Sequence, residues 1–108
     1  MRRVRNISIT ETAARRLHDE VGTFWPRPGD VFALIYMFTF TSPDGTRVAG
    51  FRPGYMAGSW PLKNLGPSWL LAELADGTEF HFRPRREWNE NQQYLVDTVG
   101  PLFSIAPA

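Results

Sequence analysis

A short motif that occurs twice constrains the fold of this chain more than any other feature of its sequence. Asp44-Gly45-Thr46 leads to Phe51-Arg52-Pro53, and Asp76-Gly77-Thr78 leads to Phe82-Arg83-Pro84. An Asp-Gly pair favours the tight turn that joins two antiparallel strands, and a proline is typical of a strand end. Each copy of the motif therefore predicts one β-hairpin.

The residues on either side of these turns predict the strands of a sheet. The segment from Val31 to Thr41 is apolar on both faces, which is typical of a central strand that is covered on both sides. We expect this segment to pair with residues 46–52 through the first turn. The second hairpin is predicted to join residues 69–74 to residues 78–83 around Asp76-Gly77.

One helix is predicted before the first hairpin. Thr10 is a suitable N-cap, and the apolar residues Ala13, Ala14, Leu17 and Val21 follow it with helical spacing. Residues 3–9 are interpreted as a first strand, and residues 94–99 and 102–105 as a last strand pair or one bent strand. The predicted fold class is α+β, with an N-terminal helix packed on a mainly antiparallel sheet of about five to seven strands that contains two DG-type hairpins.

Composition excludes several classes of protein. The 108 residues are the size of one domain, which we expect to span residues 1–108. The chain contains no cysteine, so disulfides, thiolate metal sites and a cysteine nucleophile are excluded. Its formal net charge of +1 creates no overall field that would direct it to nucleic acid or to a membrane.

The sequence also predicts a cytoplasmic location. The basic start, Met1-Arg2-Arg3, is not followed by the apolar region of a signal peptide. The longest apolar run has about ten residues, half of what a membrane span needs. We therefore expect a soluble protein with no membrane contact.

Two stretches of the chain resemble the HesB-like, A-type iron–sulfur carriers. Residues 7–17 are similar to the strand and Ala-rich helix with which that family opens, and residues 71–82 are similar to its later LDGT-type segment. The resemblance implies a related fold. The cluster ligands of the family are cysteines, and this chain has none. The resemblance therefore implies a HesB-like fold without cluster-carrier activity.

The sequence contains no established catalytic signature. There is no nucleophile elbow, no phosphate-binding loop and no dinucleotide-binding glycine pattern. Glu79 and His81 lie two apart on a predicted strand, as an acid–base or metal pair would, with Asp76 nearby. A solvated strand face of mixed charge explains these residues more simply. We therefore predict a protein that is not an enzyme and holds no cofactor and no metal.

Two local basic patches raise the alternative of nucleic-acid binding. One patch is Arg83-Pro84-Arg85-Arg86 beside Trp88, and the other consists of Arg2, Arg3 and Arg5. Such patches bind phosphates when aromatic rings nearby stack on bases. Four acidic residues lie close in sequence, namely Glu73, Glu79, Glu87 and Glu90. Nucleic acid is therefore not the expected partner.

The segment from Tyr55 to Trp69 is the main candidate for function. Most of it belongs to the stretch from Pro53 to Pro67, which is predicted to be irregular because it is rich in glycine and proline, and it contains several large apolar side chains. Aromatic residues, methionine and arginine are enriched in the energetically important parts of interfaces. The predicted binding residues are Tyr55, Met56, Trp60, Trp69, Arg52, Arg83, Arg85, Arg86 and Trp88. Burial of these rings in a small core beneath the loop is the alternative.

These observations predict a small non-catalytic, cytoplasmic protein-binding module, such as an immunity-type or regulatory interaction protein. The alternative is a small-molecule-binding domain with an apolar pocket between helix and sheet, gated by residues 55–65. Exposed aromatic rings on a convex or flat surface favour a protein partner. A concave apolar cavity with Arg52 or His81 at its mouth favours a small apolar ligand. A free sheet edge would further permit a homodimer.

Overall fold

The structure of the chain is a computed structural model, and it describes residues 1–23, 27–39 and 42–108. These residues contain eight strands, one α-helix and one short 3-10 helix at Leu62–Asn64. The elements are β1 (Arg2–Val4), β2 (Ile7–Ile9), α1 (Glu11–Thr23), β3 (Asp30–Met37), β4 (Gly54–Pro61), β5 (Leu70–Glu73), β6 (Glu79–Phe82), β7 (Tyr94–Val99) and β8 (Leu102–Pro107). Residues 40 and 41, at the end of the predicted central strand, lie outside the described residues.

The eight strands form one sheet in the order β1-β5-β6-β3-β4-β8-β7-β2. Its two edge strands, β1 and β2, are separated in sequence by Arg5 and Asn6 alone. A chain spans at most about 3.5 Å per residue, so this short link forces the two edges close together. The sheet therefore curls until it nearly closes on itself, and its inner face encloses the core.

The predicted fold class is wrong in its architecture. We expected one helix packed on a sheet of five to seven strands, whereas most of the structure is an eight-stranded sheet with one short helix. One cause is that residues 3–9 form two strands, which pair in parallel with β5 and β7. The other is that residues 54–61, expected to be irregular, form the long strand β4 beside β3.

The second Asp-Gly turn joins β5 to β6 as an antiparallel hairpin. Gly77 adopts a φ of +89°, which a residue without a side chain tolerates best. The carboxylate of Asp76 accepts a hydrogen bond of 2.9 Å from the backbone N–H of Thr78. At this hairpin the turn therefore joins two strands that pair with each other, as the sequence predicts.

The first Asp-Gly turn forms locally but does not set the strand pairing. The N–H of Gly45 donates to the carbonyl of Ser42 over 2.9 Å. However, β3 pairs with β4, from Asp30 opposite Pro61 to Met37 opposite Gly54. Residues 46–52 thus lie in the connection and are not the return strand. A turn only reverses the direction of the chain. Which segment then pairs with the central strand depends on which one best covers its apolar side chains.

One cluster of buried apolar side chains fills the inside of the curled sheet. Its largest fully buried members are Phe80, Phe82, Phe103, Leu17, Leu34 and Val96. Thr10 caps the N-terminus of helix α1, and its hydroxyl accepts the N–H of Ala13 over 3.2 Å. Ala13 and Leu17 are completely buried, so the helix contributes one face to this core.

Helix α1 lies at the end of the sheet that carries the β5–β6 and β7–β8 turns. His18 Nε2 lies 3.0 Å from the carboxylate of Asp76 in the β5–β6 turn. The guanidinium of Arg16 donates to the carbonyl of Gly100 in the β7–β8 turn over 2.6 Å. The helix therefore covers this end of the curled sheet. In the described part of the chain, no helix has both the length and the apolar character needed to cross a membrane.

Trp88 closes the opposite end of the core. Its side chain is 8% exposed, and its indole N–H donates to Asn6 Oδ1 over 3.0 Å. The ring stacks on Tyr94 with centroids 3.7 Å apart and contacts Phe82 edge-on at 5.3 Å. The hydrogen bond of its N–H and the two ring contacts fix the indole in one orientation.

Candidate binding sites

The predicted binding residues fall into separate regions of the structure. Six of them lie at the end closed by Trp88, and these are Tyr55, Trp69, Arg83, Arg85, Arg86 and Trp88. Met56 and Trp60 lie on the outer face of β4, and Arg52 is exposed two residues before that strand. Six of the predicted residues therefore form one cluster, Met56 and Trp60 lie on an adjoining face of the sheet, and Arg52 lies outside both groups.

Tyr55 supports the cluster from inside the core. Its side chain is only 3% exposed, so it is not itself a surface contact. The phenol donates to the carbonyl of Arg83 over 3.3 Å, and it also accepts a backbone hydrogen bond from Arg85. Burial raises the pKa of Tyr55 to about 12, so the phenol keeps its proton at neutral pH. Tyr55 therefore anchors the backbone from which the arginines project.

The side chain of Arg85 lies on two aromatic rings. Its guanidinium carbon is 4.2 Å from the centroid of Tyr36 and 4.7 Å from that of Phe38. Tyr36 in turn contacts Tyr55 edge-on, with centroids 5.1 Å apart. Cation–π contact of this kind holds a guanidinium in place without neutralising its charge. The sequence interpretation missed Tyr36 and Phe38, although the apolar end of the strongest predicted strand was a signal for them.

These side chains line a surface groove of about 470 Å³. We call it the arginine groove and define it by Tyr36, Phe38, Trp69, Arg83 and Arg85. Phe38 is 63% exposed. In the ion pairs of the described residues, neither these two arginines nor the neighbouring Arg86 takes part. The groove therefore presents positive charge beside accessible aromatic surface.

The arginines of β1 have a different environment. Arg3 lies between Glu73 and Glu79, bonding to the first and 3.0 Å from the second. These two carboxylates face each other across the β5–β6 pair, and Arg3 offsets their repulsion. Both arginines that bind Glu73, namely Arg3 and Arg5, lower the pKa of its carboxyl. Arg2 lies 2.8 Å from Glu90, so this whole basic patch is neutralised.

The outer face of β3 and β4 presents an apolar surface, which we call the outer patch and define by Val31, Ile35, Met56 and Trp60. Val31 pairs with Trp60 and Ile35 with Met56 across the two strands, so all four point outward. Met56 is 42% and Trp60 39% exposed. Ile35 also lines the arginine groove. The outer patch and the groove are therefore continuous.

His81 lies beside the outer patch, opposite Ala33 of β3. Partial burial lowers its pKa, although a hydrogen bond with the Phe32 backbone and the charge of Glu79 act in the opposite direction. His81 is therefore neutral at pH 7 and adds no charge to this face. Glu79 is paired with Arg3, which gives it a structural partner.

The acid–base cluster considered from the sequence is divided in the structure. Asp76 caps the β5–β6 turn through Thr78, which is the first cause of its lowered pKa. It also lies 3.0 Å from His18 of α1. Within residues 1–23, 27–39 and 42–108, no group of three or more acidic or histidine side chains has the arrangement of a metal site.

A separate cavity of about 260 Å³ lies at the end closed by Trp88. We call it the aromatic cavity and define it by Tyr55, Phe82, Trp88, Tyr94 and Ile105. The exposed side chains of Arg85, Arg86 and Glu87 also line it and therefore form its mouth. The aromatic cavity lies at the end of the sheet opposite α1, whereas the sequence predicts a pocket between helix and sheet. The mouth of the aromatic cavity has Arg85 and Arg86, whereas Arg52 or His81 was expected there.

Comparison of the chain with models of known protein families found no match, and comparison with curated proteins and with solved structures found none either. The resemblance to HesB-like carriers therefore stays a prediction.

Proposed function

We propose that the chain is a non-catalytic protein-binding module, which contacts its partner through the outer patch and the arginine groove as one surface. The observation that supports this most strongly is the position of Arg83 and Arg85. In the part of the chain that the structure describes they lie in no ion pair, and they adjoin exposed apolar side chains. Leaving charge unpaired beside apolar surface is typical of a site whose partner supplies the counter-charge.

The chemistry of this surface defines the partner that fits it. Met56 and Trp60 need apolar side chains to exclude water from the outer patch. The planar guanidinium groups of the groove bind carboxylates in a bidentate manner. The partner is therefore a protein with an apolar contact surface bordered by aspartate or glutamate side chains. The cytoplasmic location is part of this proposal, and the cysteine-free composition supports it.

Nucleic acid fits this surface less well than an acidic protein. The arginines of β1 are already paired with Glu73, Glu79 and Glu90. A phosphate backbone is long and needs positive charge along a continuous track. The cluster of residues 83–86 offers one local contact, and the formal net charge is +1.

The test has two stages. The wild-type chain captures a partner from a lysate of its host, and the partner is identified by mass spectrometry and purified. Calorimetry then measures its affinity for Trp60→Ala and for Arg85→Gln. Both substitutions are at exposed positions, so the fold is retained, and each is expected to weaken binding by at least tenfold, as hot-spot residues do.

Two control variants change the same chemistry elsewhere. Val21→Ala removes a side chain that is also 39% exposed, and Arg15→Gln removes an exposed arginine of α1. Both are expected to bind the partner as the wild type does. The proposal fails if no stoichiometric partner is captured, or if Trp60→Ala and Arg85→Gln bind as tightly as the two controls.

A further inference from the structure

We infer that the aromatic cavity is a second binding site, for a small organic monoanion with one aromatic ring and a carboxylate. This inference does not depend on the protein partner. The walls of the cavity are aromatic and fixed. Trp88 stacks on Tyr94 at an interplanar angle of 17° and contacts Phe82 edge-on. Rigid rings offer a flat ligand extensive contact at little cost in side-chain entropy.

The polar atoms of these walls are already bonded within the protein. The indole N–H of Trp88 donates to Asn6, and the phenol of Tyr55 donates to the carbonyl of Arg83. The phenol oxygen of Tyr94 accepts the backbone N–H of Asn89 over 3.1 Å. In these bonds only the phenol proton of Tyr94 is not used, so the cavity interior recognises an apolar body mainly by contact.

The charge lies at the mouth of the cavity. Arg85, Arg86 and Glu87 line it and are exposed. Arg85 is held against Tyr36 and Phe38 on the side of the arginine groove, so Arg86 is the arginine best placed to bind a ligand. Two guanidinium groups and one carboxylate give the mouth a net charge of +1, which matches a monoanion better than a dianion.

The size of the cavity limits the ligand. Sites for drug-sized molecules enclose roughly 300–1,000 Å³, and this cavity has about 260 Å³. A single ring with a short side chain fits, whereas a nucleotide does not. The carboxylate then reaches the mouth while the ring lies against Trp88.

The probe that tests this inference is 3-phenylpropionate, and the neutral amide 3-phenylpropanamide is its isosteric control. Binding is followed through the NMR signal of the Trp88 indole N–H in the full chain. We expect the acid to shift this signal to saturation and the amide to bind about tenfold more weakly. Arg86→Gln is expected to remove the preference for the acid. Ile105→Phe, at a lining residue on the inner face of β8, is expected to narrow the cavity and weaken binding of both probes.

Arg83→Gln is the matched control, because Arg83 lines the arginine groove but not the aromatic cavity. Its affinity for 3-phenylpropionate should equal that of the wild type. The inference is overturned if the acid leaves the Trp88 signal unchanged, or if acid and amide bind equally. It is also overturned if Arg83→Gln weakens binding of the acid as much as Arg86→Gln does.

Discussion

The chain contains two clusters of three arginines, and their surroundings differ. The first cluster consists of Arg2, Arg3 and Arg5 and lies against the carboxylates of Glu73, Glu79 and Glu90. The second consists of Arg83, Arg85 and Arg86 and, in the described residues, lies in no ion pair. Both look alike in the sequence. The comparison shows that the density of arginine along a chain does not determine how much positive charge is available for binding.

The two clusters are also held in place by different forces. Arg3 is fixed by carboxylates that lie 70 and 76 positions away in the sequence. Arg85 is fixed by aromatic contact with Tyr36 and Phe38, and its backbone is anchored by Tyr55. Ion pairs neutralise an arginine as they position it, whereas rings position it and leave its charge free. The second cluster is therefore the one suited to binding.

The largest effect is expected from removing the buried support of the second cluster. Tyr55→Ala should lower the free energy of unfolding by about 3–5 kcal/mol, because it leaves a cavity in the core. Tyr55→Phe keeps the ring and loses only the hydrogen bonds to residues 83 and 85, at about 1 kcal/mol. Urea unfolding measures both changes. If Tyr55→Phe is as stable as the wild type, the phenol of Tyr55 does not anchor residues 83 and 85.

Lowering the pH should weaken the ion pairs of the first cluster and leave the second cluster unchanged. The folded-state pKa of Glu73 lies below its usual 4.5, chiefly because of the hydrogen bond from Arg3. The ion pairs of Glu73 therefore stabilise the fold above pH 4.5, and this stability is lost as the pH falls through the lowered pKa. Glu73→Gln removes that contribution at every pH.

The measurement is the melting temperature of wild type and of Glu73→Gln between pH 7 and the acid limit of folding. The wild type should be the more stable at pH 7, and the difference should vanish in acid. A matched comparison is Glu87→Gln, at an exposed glutamate beside the second cluster. A difference for Glu87→Gln as large as that for Glu73→Gln would contradict the contrast between the clusters.

A smaller effect is expected at His81, which lies beside the outer patch. Its pKa is lowered from 6.5 by partial burial, so the unfolded chain binds a proton more readily than the folded one. Stability is therefore expected to fall as the pH decreases from about 6.5 towards the lowered pKa of His81. Glu79 is the charged group that opposes this shift.

Thermal unfolding of wild type and His81→Gln at pH 7.5 and pH 5.5 measures this effect. The wild type should lose more stability than the variant over this interval, since glutamine does not titrate. His18→Gln is the control, because the other histidine lies on α1 and away from the outer patch. An equal loss in wild type and His81→Gln would show that His81 is not the group responsible.

Local features of this fold can be predicted from the sequence. The cap at Thr10 and the turn at Asp76-Gly77 depend on residues within a few positions of each other. The sequence predicts a loop where β4 lies, because Gly54, Gly58 and Pro61 are typical of loops. In the structure these residues lie on a strand whose pairing with β3 is fixed over its whole length. The apolar cover that β4 gives to β3 outweighs its poor strand propensity.

The arrangement of the candidate sites depends on strand pairing between distant residues, which no short stretch of the sequence specifies. The residue types of the binding surface were recognisable, since Trp60, Arg83 and Arg85 are typical of interfaces. Which arginines are neutralised depends on pairing β1 with β5 in parallel, and no local pattern of residues specifies that register. The burial of Tyr55 and Trp88 follows in the same way from how the sheet closes.

The position of β1 and β2 at opposite edges of the sheet has a consequence for synthesis of the chain. Residues 2–9 are made before the strands with which they pair, since β1 pairs with β5 and β2 pairs with β7. Neither strand has its partner until residues 70–73 and 94–99 have left the ribosome. Contacts this distant in sequence form slowly, because a long loop must close before they are made. The sheet can therefore close only after residues 94–107 have left the ribosome, so β1 and β2 remain unpaired while the strands between them are made.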